Sequence, residues 1–398
     1  MVISLSFSIP LIKTEQHFMA VAESSITTIR QATLDDLDTL VDIENRCFET
    51  DRLNRRNFRY LLTKAKAAFL VDELNHQITG YGVLLFQPGT ALARLYSFAV
   101  LPEYQGAGIG KRLLEAMETE AINHGRIAVR LEIRQDNVQA MSLYRKFGYR
   151  ELEALENYYE DHEDGVRMEK NLAPRLNTSL ARVPYYEQTL EFTCGPAAIM
   201  MAMKCVQPDM QLDRMLELRL WREATTIFMT SGHGGCTPFG LALSAYRMGF
   251  DVDIVLKDKS ALFVDTVRSK EKKEVVALVH EDFREQIRKA GIRVRYGTYS
   301  INNLESTFQQ GGVPVVLISS YRIYQEKSPH WVVVTGYDSK FVYLHDPYVD
   351  YEENKSRTDC MNLPILKEEF FGMARYGKTG QRAVVIIRRR NDAQASST

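Results

Sequence analysis

Two groups of residues in this chain have the types and spacing that chemistry requires. The first is Gln105, Gly106, Gly108 and Gly110, crowded together shortly after Pro102. An apolar run from Leu95 to Leu101 reads as a strand, and from Ile109 the spacing turns helical, with Leu113, Leu114 and Met117 on one face. A strand, a glycine loop and a helix N-terminus together make an anion site. Unpaired backbone N–H groups point outward there, and glycines let a phosphate approach. By itself such a cluster is equally well a tight turn. The second group centres on Cys194. Ala197 to Met203 are strong helix formers, so Cys194 falls at a helix start, with Pro196 where a missing N–H costs nothing. The positive end of a helix favours thiolate, the attacking form of cysteine.

A nucleophilic thiol needs a base, and the base needs an orienting group. His330 precedes Trp331-Val-Val-Val-Thr, a buried-strand pattern, and Phe341 to His345 reads as its hairpin partner. A three-residue loop, Asp338-Ser339-Lys340, pairs Tyr337 with Phe341 and sets His330 opposite Tyr348. Asp346 then shares the face of His330 on a diagonal of roughly 7–8 Å, and His345 points to the other face. A loop of different length would reverse that choice. Gln188 can donate its amide to an oxyanion beside the Cys194 N–H.

These residues need two scaffolds. A chain of 398 residues is long for one core, and 45% apolar with 25% charged content is ordinary for a globular protein. A formal charge of −1 gives no general drive toward nucleic acid or anionic membrane; the tract Arg388-Arg389-Arg390 reads as a solvated strand end. Five cysteines are widely spaced, without CxxC pairs, which favours a reducing cytoplasm; Cys47, Cys205 and Cys360 read as buried hydrophobes. No apolar run is long enough for a membrane span. Residues 1–24 read as a tail, with Met19 an alternative start, residues 173–181 as a linker and 391–398 as a second tail. His233 and Cys236, in a glycine-rich loop, are too few to hold a metal, and none is expected.

Between the tails, strands are expected at Thr28–Arg30, Ala67–Asp72, Ile78–Phe86, Ala128–Arg134, Arg150–Leu155 and Val166–Lys170. Thr33 reads as the N-cap of a first helix, Asn75-His76 as a hairpin turn, and Asp136-Asn137 as the cap of a helix running to Phe147. In Ala128–Arg134 the apolar Val129, Leu131 and Ile133 take one face and Arg130, Glu132 and Arg134 the other.

The order of elements, with Gln105-x-x-Gly108-x-Gly110 and Asn137-x-x-Ala140-x-x-x-Tyr144-x-x-x-Gly148-Tyr149, resembles a GCN5-related N-acetyltransferase over residues 25–172. Leu131-Glu132-Ile133-Arg134, Leu143-Tyr144 and Asn157-Tyr158-Tyr159 are most similar to the RimI-type protein N-acetyltransferases. The resemblance implies a mixed sheet with flanking helices and acetyl-CoA as donor. Ala99, Val100, Gln105, Gly106, Ala107, Gly108, Ile109, Gly110 and Lys111 would hold the coenzyme, with Asn137 on its pantetheine arm. Glu132 would be the general base and Tyr144 the acid for the leaving thiolate; read as residues alone, Tyr144 is equally a core aromatic and Glu132 a partner of Arg130 or Arg134. Gln188, Cys194-Gly195-Pro196, His330 and Asp346-Pro347 resemble the C39 class of cysteine peptidases over residues 182–390, which implies a papain-like fold. Thr193 departs from the acid often found there, and the stretch Val206–Gly311 carries the resemblance by spacing only. The expectation is a two-domain α/β (α+β) chain: an N-acetyltransferase for a peptide or protein α-amine, followed by a thiol hydrolase for a peptide or amide bond. The alternative is a small-molecule amine acetyltransferase whose second half only binds peptide.

Overall fold

A computed structural model describes residues 27–172, 179–225, 234–260, 262–263, 269–326, 328–352, 355–377 and 379–390. The readings of residues 1–24, of most of the linker, of His233 and of 391–398 lie outside them. Contacts divide the chain into two compact units near residue 175. Among the described residues no helix is long and apolar enough to cross a membrane.

The first unit holds strands β1 (Thr27–Gln31), β2 (Ala67–Leu74), β3 (Gln77–Phe86), β4 (Leu92–Val100), β5 (Ala128–Arg134), β6 (Arg150–Leu155) and β7 (Gly165–Asn171). Its helices are α1 (Leu37–Cys47), α2 (Arg55–Thr63), α3 (Ile109–Asn123) and α4 (Val138–Lys146). The sheet order is β1-β2-β3-β4-β5-β7-β6, antiparallel except for β4 against β5. Asn75 and His76 both take positive φ, the two-residue turn that suits the twist of a hairpin. A capping box closes on Asn54 and Asn57, starting α2, a helix the sequence reading left out.

The decisive feature is where β4 and β5 part. They pair only at Leu92↔Ala128, Ala93↔Val129 and Arg94↔Arg130. Beyond that point β4 runs on to Val100 and β5 to Arg134, while β5 keeps full pairing with β7 on its other edge. The facing edges of the two strands therefore lack ladder partners, a cost that persists only where something else satisfies the backbone.

One buried acid in this unit stands apart from the gap. Glu44 on α1 accepts the Leu53 N–H at 2.7 Å and the Tyr81 hydroxyl, which also meets Ser97 at 2.9 Å. Burial pushes its carboxyl up to about 7, against the pull of those two donors. A raised folded-state value means that the fold binds the proton more tightly, so stability falls as pH climbs from the unfolded value near 4.5 through 7. Glu44→Gln should therefore stabilise the fold relative to wild type more at pH 8 than at pH 5, a difference of roughly 3 kcal/mol at most that is read as a larger rise in Tm; equal shifts at both pH values would contradict the assignment.

The second unit has strands β8 (Ser179–Leu180), β9 (Phe250–Leu256), β10 (Arg293–Tyr296), β11 (Val313–Ser319), β12 (Pro329–Tyr337), β13 (Phe341–His345), β14 (Leu363–Leu366) and β15 (Ala383–Arg389). Its helices are α5 (Cys194–Val206), α6 (Arg214–Ala224), α7 (Pro238–Arg247), α8 (Lys270–Lys289), α9 (Ile301–Gln309), α10 (Tyr321–Tyr324) and α11 (Lys367–Met373). The sheet runs β10-β9-β15-β11-β12-β13-β14, with β8 also on β12. Ser179 and Leu180, read from sequence as linker, thus already belong to this sheet. Every residue of α5 from Gly195 to Met203 is buried, because the helix is apolar all round and packs in the core with the strands. That fixes its N-terminus, and Cys194 with it. The arginine tract is not simply solvated: Arg388 pairs with buried Asp253 at 2.8 Å, and Arg390 lies over the Tyr246 ring.

Candidate active sites

In the first unit a cavity of about 690 Å³ opens at the start of α3. Val100, Gln105, Gly106, Gly108, Gly110 and Lys111 line one side, and α4 lines the other through Val138, Gln139, Ala140, Ser142, Leu143 and Lys146. Gly106 and Gly108 have φ of 81° and 80°, and a Cβ built on either would meet nothing. Both points matter: L side chains strain there, and the space a side chain would fill is left to a ligand. The first helical bond is Arg112 N–H to Gly108 O, so the amides of Ile109, Gly110 and Lys111 precede the ladder and no side chain caps them. Gln105 is turned inward, its amide donating to Val100 O at 3.1 Å. Ala99 packs on the opposite side of β4 from Val100, so only its backbone can face the gap.

Tyr144, on α4, is wholly buried beside Phe98 and Tyr149, and its hydroxyl has no hydrogen-bond partner. Burial raises its pKa, with no nearby charge to offset the effect. Such a hydroxyl is costly unless a ligand atom completes it. Asn137 caps α4, its side-chain oxygen accepting the Ala140 N–H at 3.1 Å. Glu132 is 4% exposed and held by Arg94, with contacts of 3.0 and 2.9 Å to one oxygen, and by Arg167 Nε 3.7 Å from the other. These partners come from the neighbouring strands, while Arg130 pairs with Glu169 and Arg134 with Asp136 and Asp161. Register explains them: Arg167 lies directly across the β5–β7 ladder, and Arg94 is a neighbour on β4.

In the second unit His330 Nε2 lies 2.6 Å from Asp346 Oδ1, and Cys194 is near enough to the same ring to act on its charge. Asp346 is wholly buried; it also accepts the Tyr348 N–H at 2.9 Å and the Tyr324 hydroxyl at 2.8 Å. Burial alone would push the His330 imidazole down. The charge and hydrogen bond of Asp346, and then the Cys194 thiol, overcome that and raise it to about 10. Asp346 is shifted the other way, its burial outweighed by His330 and the donors around it. Burial pushes Cys47 up to about 12 and also raises Cys205, Cys236 and Cys360.

The hairpin reaches this geometry by an unexpected route. Tyr337 pairs with Val342 rather than Phe341, one residue off the register read from sequence. Asp338 bends the loop tighter around itself, its carboxylate accepting the N–H groups of Lys340 and Phe341 at 2.7 Å. A bulge between Val334 and Gly336 then absorbs the slip, so Val333 faces His345 and Asp346 falls beside His330. His345 is structural: its Nε2 meets Val183 O and its Nδ1 accepts the Asn362 N–H, both at 2.9 Å. Gln188 is tied to the acid's strand through its N–H to Pro347 O at 2.9 Å. Its side-chain amide donates to Leu190 O at 2.8 Å, leaving one amide hydrogen for an oxyanion, and its Oε1 is buried without a partner.

Residues 183–388 match the Peptidase_C39 like family, and residues 37–149 match the acetyltransferase (GNAT) family. The chain is a GNAT acetyltransferase joined to a member of the Peptidase_C39 like family. Among its relatives is an N-alpha-acetyltransferase of Sulfurisphaera tokodaii, 32% identical over 151 residues, spanning 35% of this chain and 90% of that one. A [ribosomal protein bS18]-alanine N-acetyltransferase of Haemophilus influenzae is 33% identical over 140 residues, covering 34% and 88%. Of the solved structures, the ribosomal-protein-S18-alanine N-acetyltransferase of Escherichia coli matches at 25% identity and a TM-score of 0.35, over 38% of this chain and 97% of that one.

GNAT enzymes take acetyl from acetyl-CoA, and the cavity suits that donor: an open glycine cradle, uncapped amides, and flanking Lys111 and Lys146. Sequence reasoning missed Lys146. The signal was there, since Val138, Ser142 and Lys146 form one i, i+4 stripe on α4, next to the Tyr144 face that drew attention. It also missed Tyr324, which no local pattern ties to Asp346.

Proposed function

We propose that the GNAT unit acetylates the α-amine of a peptide or protein, and that the C39-like unit is a thiol hydrolase for a peptide or amide bond. The gap between β4 and β5 accepts the acetyl arm, with the diphosphate on the amides from Gln105 to Lys111. Glu132, steadied by Arg94 and Arg167, takes the amine proton through water. The amine nitrogen then bonds the acetyl carbon, the C–S bond breaks, and Tyr144 delivers a proton to the departing sulfur. The names of the archaeal and bacterial relatives support an α-amine acceptor. In the second unit Cys194 attacks the carbonyl, His330 carries the proton to the leaving amine, and Asp346 keeps the imidazole oriented. The Cys194 N–H and the Gln188 amide stabilise the oxyanion.

The observation that carries the hydrolase reading is the pairing of His330 with Asp346 at one hairpin, with Cys194 brought beside the ring from a distant stretch of chain. Wild type and Cys194→Ala, each incubated with a peptide pool and acetyl-CoA, should differ in one respect only. New N-termini should appear with wild type alone, while acetylation of termini already free should be equal in both. New termini in the Cys194→Ala sample would remove Cys194 from the chemistry.

A further inference from the structure

Around the thiol site the charge is lopsided. Tyr348 follows the acid of the triad, donates its N–H to Asp346, and packs on Tyr324 with ring centroids 5.2 Å apart. Burial raises its hydroxyl's pKa, and Asp350, Glu191, Glu326 and Glu352 all lie close enough to add to that. They arrive from separate segments. Glu191 lies on the turn leading into Cys194, Glu326 on the approach to His330, and Asp350 and Glu352 on the run after Asp346. Glu191, Glu326 and Glu352 are exposed, and none has an ion-pair partner among the described residues. By contrast Glu187, close by in sequence, is neutralised by Arg357 at 2.6 Å. Among the described residues Lys355 brings a cation to this group, its ammonium 3.9 Å over the Tyr324 ring. Glu191, Glu326 and Glu352 thus gather like charge without salt bridges among the described residues, and their repulsion is a cost that an oppositely charged ligand relieves.

Two further observations point to a ligand. Gln188 is buried with an unpaired Oε1, on the loop bonded to Pro347 beside Tyr348, so an acceptor waits there for an N–H. Phe192, between Glu191 and Cys194, packs on Trp221 with ring centroids 4.8 Å apart, and both residues are half-buried. An apolar shelf, a buried acceptor and an acidic rim together suit a polypeptide better than a bare cation.

We infer that the thiol site of the C39-like unit takes a cationic peptide segment, with lysine or arginine side chains lying along the rim formed by Glu191, Glu326, Asp350 and Glu352. This rests on the hydrolase reading for the position of the site, not for its chemistry. An acidic rim concentrates basic peptides at the nucleophile and turns acidic ones away.

The test reads charge at Cys194 without requiring turnover. The full chain is treated with two methanethiosulfonate reagents, one carrying trimethylammonium and one sulfonate, and modification of Cys194 is timed by peptide mass spectrometry. Each rate is divided by that for glutathione. The cationic reagent should be favoured by about tenfold at low salt, with the preference shrinking in 1 M salt. It should also collapse in the triple variant Glu191→Gln, Glu326→Gln, Glu352→Gln, whose sites are exposed and make no contact the fold needs. A ratio near one in wild type, or one unchanged in the variant, overturns the inference. A second arm uses the Cys194→Ala chain with a fluorescein-labelled lysine-rich peptide and its glutamate-rich counterpart, read by anisotropy. The lysine-rich peptide should bind at least about tenfold more tightly, and equal binding overturns the inference as well. Charge preference in both arms without peptide cleavage by wild type would sink the hydrolase reading and leave the cationic site standing.

Discussion

Tyr144→Phe should give a protein that is more stable and far less active. The hydroxyl is buried with no hydrogen-bond partner, so its removal relieves a desolvation cost of about 1–3 kcal/mol in the free protein. The ring contacts with Phe98 and Tyr149 remain, since phenylalanine keeps the shape. If the hydroxyl protonates the departing thiolate, the same change should cut kcat by about 10²–10⁴-fold. Opposite signs in one variant separate this assignment from a core aromatic. A core role predicts an unchanged kcat, and a hidden partner for the hydroxyl predicts a lower Tm. Both readouts come from one preparation, by thermal denaturation and by initial rates with acetyl-CoA and a peptide.

Asp346→Asn should move the reactivity of Cys194 to higher pH. In wild type, burial works against the imidazolium of His330, and Asp346 is the main group that holds it charged, up to about pH 10. An amide in its place leaves burial dominant, and His330 becomes neutral near physiological pH. The sulfur then loses the positive charge beside it, and alkylation by iodoacetamide near pH 6 should slow by about 10²–10⁴-fold. The sign for stability follows from the same shift. A histidine raised in the folded state contributes stability that is fully present below its unfolded value near 6.5 and is lost as pH rises through 10. Wild type should therefore lose Tm on passing from neutral to about pH 10 more steeply than the variant. Timed alkylation from about pH 5 to 9, followed by mapping of Cys194 against Cys205, reads the profile. Superimposable profiles for the two proteins would detach Asp346 from the thiol's chemistry.

Much of the scaffold was legible in the chain. The apolar alternation of Ala128–Arg134 gave β5 its bounds and faces, and the glycine cluster marked the start of α3. The hairpin carrying the triad shows why register is harder to read than strand existence. Loop length and an internal bulge each shift it by one, and here they cancel. Gly336 was the available hint, because a lone glycine inside a strand pattern often marks a bulge. The company of Glu132 was not readable, because Arg94 and Arg167 reach it across neighbouring strands rather than along its own. The stretch Val206–Gly311 left α6, β9, β10 and α9 unread. Of these, α6 bears on the site, since its Glu217 accepts the Thr189 N–H and its Trp221 packs on Phe192, contacts that no local pattern shows.

The claim beneath the whole account is that the amides at the start of α3 hold the diphosphate of the coenzyme. Calorimetric titration of coenzyme A into three proteins tests it: wild type, Gly108→Val and Gly125→Val. Gly108 and Gly125 share a positive φ, 80° and 69°, and open space where a Cβ would stand, but only Gly108 lines the cavity. The two substitutions thus carry similar backbone strain, about 1–2 kcal/mol. Wild type and Gly125→Val should bind alike, and Gly108→Val at least about tenfold more weakly, as its side chain fills the cradle. No binding by wild type, or equal affinity in all three, would contradict the account.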